Sequence, residues 1–395
     1  MKRNIILLFC ILGIIHAAFG QDIVRKKNRT DEGYSPTDQP PRVVEEPSFT
    51  IDGYVDVYYN FSTDSLSRLP DRTDQFSTFG PRVNQVGLNM ARLSSIYTSD
   101  RIRGTISLFY GDINYSWDSE FPQLHEANVG VRIADRLWFD AGVFSTHIGT
   151  EVLLPRDNMM SSLALGTFHE PFFMKAGILS YDFSDKVSGK LVLANDYYTL
   201  ARGQNSNNLA YGLGLIVKPT ETLTLSYTNL IDDQAAIGSD TSQWRYYNNL
   251  YIAYTTEKLL LAFGTDFAYQ ENTKVTSEGK LTSTTAFNFE VEGKYYFVPK
   301  AAAYGRFDYF TDEDGILSAT IQQKNLQVRG LNAQSITLGG EFKPTDQSYI
   351  RLEGRYLWAD SQQQWFKTLN GNPTHERFSV LFTFGFSFLT KNLLK

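Results

Sequence analysis

The sequence predicts an all-β chain folded as a transmembrane antiparallel β-barrel of about 16 strands, with short periplasmic turns and long extracellular loops. Three observations carry the prediction. Apolar and polar side chains alternate with period two, in stretches longer than a soluble strand. Short charged turns return at regular intervals. The residues opposite the apolar rows carry more charge than a dry core can hold.

The N-terminus reads as an export signal over residues 1–20. Met1-Lys2-Arg3 precedes an apolar run from Ile5 to Ile15 and the small-residue exit Ala17-Ala18-Phe19-Gly20, with cleavage expected near Gly20. Cys10 sits in the middle of the apolar run, so a lipoprotein attachment site is not expected. The mature chain then holds no cysteine, which removes disulfides, thiolate catalysis and cysteine-based metal sites together. Losing Lys2 and Arg3 takes the formal charge from -6 to -8 (35 basic against 43 acidic), with no basic surface for nucleic acid. No later apolar run approaches the roughly 18 residues of a membrane helix. The remainder is rich in phenylalanine (28) and tyrosine (23), as expected of an exported β-rich chain.

Residues 21–48 are polar, carry Pro36, Pro40, Pro41 and Pro47, and lack either period; they read as a flexible periplasmic lead-in. The barrel is expected over residues 49–395. Its first strand runs from Phe49 to Phe61, with Phe49, Ile51, Gly53, Val55, Val57, Tyr59 and Phe61 on one face. These thirteen residues exceed the about 9 to 11 that a tilted strand needs to cross a bilayer. The last strand is Arg377 to Phe388. It puts Phe378, Val380, Phe382, Phe384, Phe386 and Phe388 on one face and mostly small residues on the other. Closure requires it to pair with Phe49–Phe61, leaving no unpaired edge in lipid.

Seven short turns punctuate the chain: Ser99-Asp100-Arg101, Ala134-Asp135-Arg136, Ser184-Asp185-Lys186, Pro219-Thr220-Glu221, Thr256-Glu257-Lys258, Val298-Pro299-Lys300 and Pro344-Thr345-Asp346. Taking the fourth at Thr220, their spacings are 35, 50, 36, 36, 42 and 46 residues, each holding two strands and a longer connection. Seven turns flanked by two terminal strands give sixteen strands. In Asn84 to Thr98 the parity slips after Met90, which predicts a bulge and leaves the face of Arg92 unassigned.

Two features set the apolar face outward. Aromatic residues crowd the turns (Tyr97, Trp138, Phe139, Tyr181, Phe183, Tyr254, Tyr295, Phe297, Phe342, Tyr349), as an interfacial girdle does. The opposite face carries Asp52, Asp56, Arg103, Arg132, Asp140, Lys190, Asp266, Glu290, Glu292, Lys294, Arg306, Asp308, Arg351, Glu353 and Arg355. Charges in that number are expected to line water. Arg103, Arg132, Asp140, Arg306, Asp308, Arg351, Glu353 and Arg355 are the expected pore-lining residues. A soluble β-sandwich with a solvated polar face is the competing architecture.

The 50-residue interval places its extra length in one loop, His147 to Glu170, between the fifth strand (Leu137–Thr146) and a sixth starting near Pro171. The loop holds Leu153, Leu154, Met159, Met160, Leu163 and Leu165, which a merely solvated loop has no reason to carry. Folded into the barrel, it packs that part on the wall and turns its polar part to the lumen. Phe168-His169-Glu170-Pro171-Phe172 leading into Gly177, with Phe49–Phe61 as opening strand, resembles the OmpL-like β-barrel porin family. A sixteen-stranded barrel whose third long loop folds inward is also the plan of the general diffusion porins. The resemblance implies passive passage of small hydrophilic solutes, an outer-membrane lipid setting and a homotrimer. Such barrels commonly end on a terminal phenylalanine, whereas here Leu389–Lys395 follow Phe388.

Pore physics then assigns a constriction. Acidic loop residues Glu151, Asp157 and Glu170, with Arg156 beside them, are expected to face Arg306, Arg351 and Arg355, setting a transverse field and a size limit. Arg351-x-Glu353-x-Arg355 serves equally well as a cross-strand charge ladder holding the wall. Catalysis is not expected: His125, His147, His169 and His375 lie at strand ends or in loops, and neither G-x-S-x-G nor H-E-x-x-H occurs. No cofactor or metal is expected, Asp312-Glu313-Asp314-Gly315 reading as a solvated turn. The alternative function is a non-transporting barrel whose outer loops, notably Asp312–Asn332 and Asp360–Glu376, bind a surface partner.

Overall fold

A computed structural model describes residues 47–69, 72–115, 123–196, 209–318, 320–322 and 327–394. The expected signal (1–20) and all but the last two residues of the lead-in lie outside this range. Twenty strands follow in order: β1 (Ser48–Ser62), β2 (Val86–Thr98), β3 (Ile102–Tyr110), β4 (Leu124–Ala134), β5 (Leu137–Ser145), β6 (Phe173–Ser184) and β7 (Val187–Ala194) form the first part. β8 (Ala210–Val217), β9 (Leu223–Asp233), β10 (Trp244–Thr255), β11 (Leu259–Val275), β12 (Leu281–Val298) and β13 (Ala301–Thr311) continue it. The remainder are β14 (Ile321–Gln322), β15 (Val328–Arg329), β16 (Asn332–Phe342), β17 (Ser348–Ala359), β18 (Phe366–Lys367), β19 (Pro373–Thr374) and β20 (Glu376–Leu389). Sixteen close into one antiparallel barrel; β14–β15 and β18–β19 are small hairpins in the last two long loops.

The barrel closes where alternation requires it. β1 pairs with β20 from Asp52↔Leu389 to Ser62↔Ser379. Phe378, Phe382, Phe384, Phe386 and Phe388 are each 41–43 % exposed, so the phenylalanine row faces outward. The chain runs on past β20: Thr390 N–H donates to Ile51 O (3.0 Å) and Leu393 N–H to Phe49 O (2.8 Å). The residues after Phe388 therefore extend the closing ladder.

Each of the seven turns joins consecutive barrel strands. In the first and fifth a hydroxyl completes the turn: Ser99 Oγ donates to Ile102 O and accepts its N–H, and Thr256 Oγ1 does the same with Leu259. Eight of the ten turn aromatics point outward or lie half-exposed. Trp138 and Tyr349 do not, because Asp140 and Arg351 two positions on share their inward parity; Arg103 lies 4.2 Å over the Trp138 ring and Arg351 4.2 Å over the Tyr349 ring.

The parity slip in β2 is a bulge. Asp56 pairs with Met90 and Val57 with Leu88, leaving Asn89 extra. Asn89 turns inward, donating to Asp56 Oδ1 (2.6 Å) and accepting from Gly80 N–H (2.7 Å), which ties the first long loop to the wall. Beyond the bulge Arg92 points inward to Asp52, 2.7 Å away. The sixth strand starts at Phe173, two residues later than Pro171 suggests, since proline lacks the ladder N–H.

Candidate functional site

The segment between β5 and β6, residues 146–172 and here called L3, is enclosed: nearly every residue from His147 to Pro171 is buried. Its entry depends on Gly149, which has φ +111; a Cβ there would stand 2.2 Å from Glu170 Oε2 at the loop's other end. Between these ends the apolar residues separate into two groups. Leu153, Leu154 and Leu163 pack with Tyr54, Phe79 and Tyr349, while Met159 and Met160 pack with Tyr251, Leu260, Tyr296 and Tyr304.

The polar atoms of L3 are held by inward side chains of the wall, mostly through the loop's own backbone. Arg351 donates to Pro155 O (2.7 Å) and Asn158 O (3.0 Å), and its Nε to Glu341 (2.7 Å). Glu353 accepts the N–H groups of Ser161 (3.0 Å) and Ser162 (2.8 Å). Arg355 donates to Leu163 O (3.0 Å) and to Asp308 (3.2 Å), which also accepts Leu165 N–H (2.7 Å). Arg306 reaches Glu151 (2.6 Å) and Ser162 O (2.8 Å), and Lys294 reaches Met159 O (3.1 Å) and Glu341 (2.7 Å). Alternate positions of β17 thus deliver Arg, Glu, Arg to one face, because the strand period is two.

Of the three pairings expected between loop acids and wall arginines, the structure joins Glu151 with Arg306. Asp157 lies 3.8 Å from Arg156 of its own loop. Arg156 instead bridges to β1, donating to both oxygens of Asp52 and lying 4.9 Å over the Tyr54 ring. Glu170 lies within hydrogen-bond reach of the Asp266 carboxyl on β11. The pairings differ because of where the loop's contacts fall: its middle meets β13 and β17 while its end meets β11. Arg103 and Asp140 form a bidentate pair (2.7 and 2.5 Å) on β3 and β5, apart from L3. Arg132 stands at the turn end, 3.6 Å from Asp100.

Several participants were not picked out from sequence. Glu341 holds Lys294 and Arg351 at once, and its signal was the parity of β16, where it is the lone acid among small and apolar residues. The Tyr349 hydroxyl donates to Asp56 and accepts from Tyr54 (2.7 Å), whose oxygen lies 3.2 Å from the same carboxylate. His147 Nε2 donates to Asn229 O (2.9 Å) on β9. Above L3, Phe76 of the first long loop meets Phe168, Trp365 and Phe366 edge-on.

Burial controls the titration of the loop's own groups. It pushes the His147 and His169 imidazoles down to about 3, and His169 stacks on Phe310 at 4.6 Å. Burial, then the Asp266 and Glu290 carboxylates, push Glu170 well above the usual carboxylate range. Among the described residues no cluster of three metal-ligating side chains is found. Asp312 is occupied in capping its own turn, accepting the N–H groups of Ile316, Leu317 and Ser318.

The model of the family described as "Putative beta-barrel porin-2, OmpL-like" matches residues 48–388. The chain belongs to this porin family. Solved structures similar to the porin include the outer membrane channel DcaP of Acinetobacter baumannii, at 10% identity and TM-score 0.61, covering 87% of this chain and 98% of that one. The anion-selective porin from Comamonas acidovorans is similar at 12% identity and TM-score 0.54, covering 87% and 100%. OmpT of Vibrio cholerae, in a trimer form, matches at 11% identity and TM-score 0.54, covering 87% and 99%. At these identities the likeness establishes the fold. No curated protein matches the chain. Family and barrel together place the porin in the bacterial outer membrane as a channel-type protein.

Proposed function

We propose that this porin lets small hydrophilic solutes diffuse passively through a water-filled lumen lined by inward charges and narrowed by L3. The observation that carries the reading is the fastening of L3 across the barrel by Lys294, Arg306, Asp308, Arg351, Glu353 and Arg355. A loop held at fixed height by buried charge-assisted bonds sets an aperture, and solutes are sorted by size first and charge second. Assembly as a homotrimer in outer-membrane lipid is part of this proposal, supported by the similar fold of an OmpT in trimer form. Cleavage of the export signal near Gly20 also belongs to it.

The test is planar-bilayer conductance of the refolded protein with and without residues 150–168. Steady conductance steps that grow on deletion support a passage limited by L3. A second reading is favoured by the aromatic contacts of Phe76, Phe168, Trp365 and Phe366, which close the first and last long loops over L3. In that reading the barrel does not conduct, and its outer loops bind a surface partner. Silent bilayers from both proteins, each a folded heat-modifiable barrel, select it.

A further inference from the structure

The fastening of L3 is one-sided. The side-chain bonds that hold its middle come from β1, β12, β13, β17 and β20. Toward β11 and β12 the loop comes close to the wall where bulk is missing. A Cβ at Gly264 would lie 1.8 Å from Thr150 Oγ1, and one at Gly166 2.3 Å from Asn288 Nδ2.

On this side the wall presents oxygens in excess of donors. The register runs Thr228 opposite Asn249 and Asn249 opposite Asp266, while Glu290 lies opposite Asp308 and Glu292 opposite Arg306. Thr228 Oγ1, Asn249 Oδ1, Glu290 Oε1 and Glu292 Oε2 are all buried without a hydrogen-bond partner, in residues only 1, 1, 3 and 4 % exposed. Asn249 Nδ2 is fixed on Asp266 (2.7 Å), so the atom left over is the amide acceptor. The cations nearby are largely engaged: the terminal nitrogens of Arg306 by Glu151 and Ser162 O, and Lys294 by Glu341 and Met159 O, with Arg306 Nε the one open donor among these contacts, set against four open oxygens.

Buried acceptors without donors call for positive charge. Three of these atoms accept only, and the fourth is a hydroxyl that does either. The described residues hold no cluster that chelates a metal ion. Scattered oxygens and net negative charge instead suit an ion of single charge that trades part of its water for them and is released again. Glu292 lies nearer the periplasmic end of β12 than Glu290, with Asn249 and Thr228 on the strands beyond, so the oxygens form a series of weak sites.

We propose that the unpartnered oxygens of the β9–β12 wall beside L3 bind monovalent cations on their passage, making the porin cation-selective. The proposal rests on the channel reading above and names its solute class. Like charge along the same wall excludes anions, while the wall arginines are withdrawn from the passage by holding the loop.

The test is the reversal potential across a planar bilayer in a KCl gradient, for the full chain and for the isosteric pair Glu290→Gln and Glu292→Gln. Potassium permeability should exceed chloride permeability several-fold, and the double variant should lower the ratio by roughly threefold or more. A wild-type ratio at or below unity, or a ratio unmoved by the variant, overturns the proposal. Glu290→Gln alone serves if the double variant does not form a heat-modifiable barrel. Sodium-23 NMR line broadening of the detergent-solubilised protein provides a readout independent of conduction. Broadening above that of detergent alone, reduced by the substitutions, is expected even in a barrel that stays silent in the bilayer. That outcome would reject the channel reading and keep the site, whereas conduction without selectivity or broadening would keep the channel and reject the site.

Discussion

Glu353 on β17 accepts the backbone N–H groups of both Ser161 and Ser162 at 3.0 and 2.8 Å, so a single wall carboxylate holds the middle of L3. The residue is 2 % exposed, and Tyr304 Oη donates to the same carboxylate (3.2 Å). Glu353→Ala leaves three buried donors unmatched, each costing about 1–3 kcal/mol. Glu353→Gln keeps one acceptor oxygen and should fall between. Denaturant unfolding should order the three proteins as wild type, glutamine, alanine, and single-channel current noise should rise in the same order; equal midpoints would remove Glu353 from the fastening.

Arg306 and Glu151 form the one close pair between the wall arginines and the loop acids, at 2.6 Å with both side chains fully enclosed. Removing one partner of such a pair strands a buried charge, at a cost of about 3–5 kcal/mol. Arg306→Ala should therefore destabilise more than the double change Arg306→Ala with Glu151→Ala. A double-mutant cycle on unfolding free energy checks this, and strict additivity of the single changes would show that the two do not act together.

The barrel was legible because its signals are local and repeated. Period two gave the strands, and turn residues gave the hairpins. The unpaired first and last strands required β1 to meet β20, as they do from Asp52↔Leu389 onward. The inward charges were legible as a set, but their partners were not. Whether Glu170 meets an arginine or Asp266 depends on the path of L3 along the wall, and no spacing in the chain encodes that path. Arg92 was unplaceable for a related reason: a one-residue bulge at Asn89 reverses parity, and only the Asp56↔Met90 register locates it.

Gly264 is small because L3 passes there. A Cβ at this position would lie 1.8 Å from Thr150 Oγ1 and 2.7 Å from Thr150 Cβ. Gly264→Ala should displace the loop and raise its susceptibility to proteolysis without opening the barrel. Thr150→Gly in the same chain removes every clashing atom of that side chain and should restore protection. Failure of the rescue would place the defect in β11 itself.

The Glu170 carboxyl is raised by burial first and then by Asp266, Glu290 and Glu151 facing it. A carboxyl raised on folding favours the compact state while it is protonated. Its contribution is complete below the unfolded value and is lost as pH rises through the folded one. The end of L3 should therefore be held most firmly in mild acid and loosen toward alkaline pH. Glu170→Gln mimics the protonated form, so the variant should match wild type at low pH and exceed it in stability above neutrality. Thermal midpoints across a pH series decide the matter: parallel curves for the two proteins would mean that Glu170 does not titrate in this range.

The residues after Phe388 bond to β1 by side chain as well as backbone. Thr390 Oγ1 accepts Ile51 N–H and Asn392 Oδ1 accepts Phe49 N–H, both at 2.9 Å. Without them the start of β1 would present unpaired donors next to the closing seam, where an open edge invites mispairing. Deleting residues 390–395 should leave the strand register intact but slow barrel closure, visible as a longer-lived unfolded band during refolding into detergent. Thr390→Val with Asn392→Leu keeps the chain length and removes only the side-chain acceptors, so it should produce a smaller delay. If the deletion refolds at the wild-type rate, the seam from Asp52 to Ser62 suffices to close the barrel, and the tail serves another purpose.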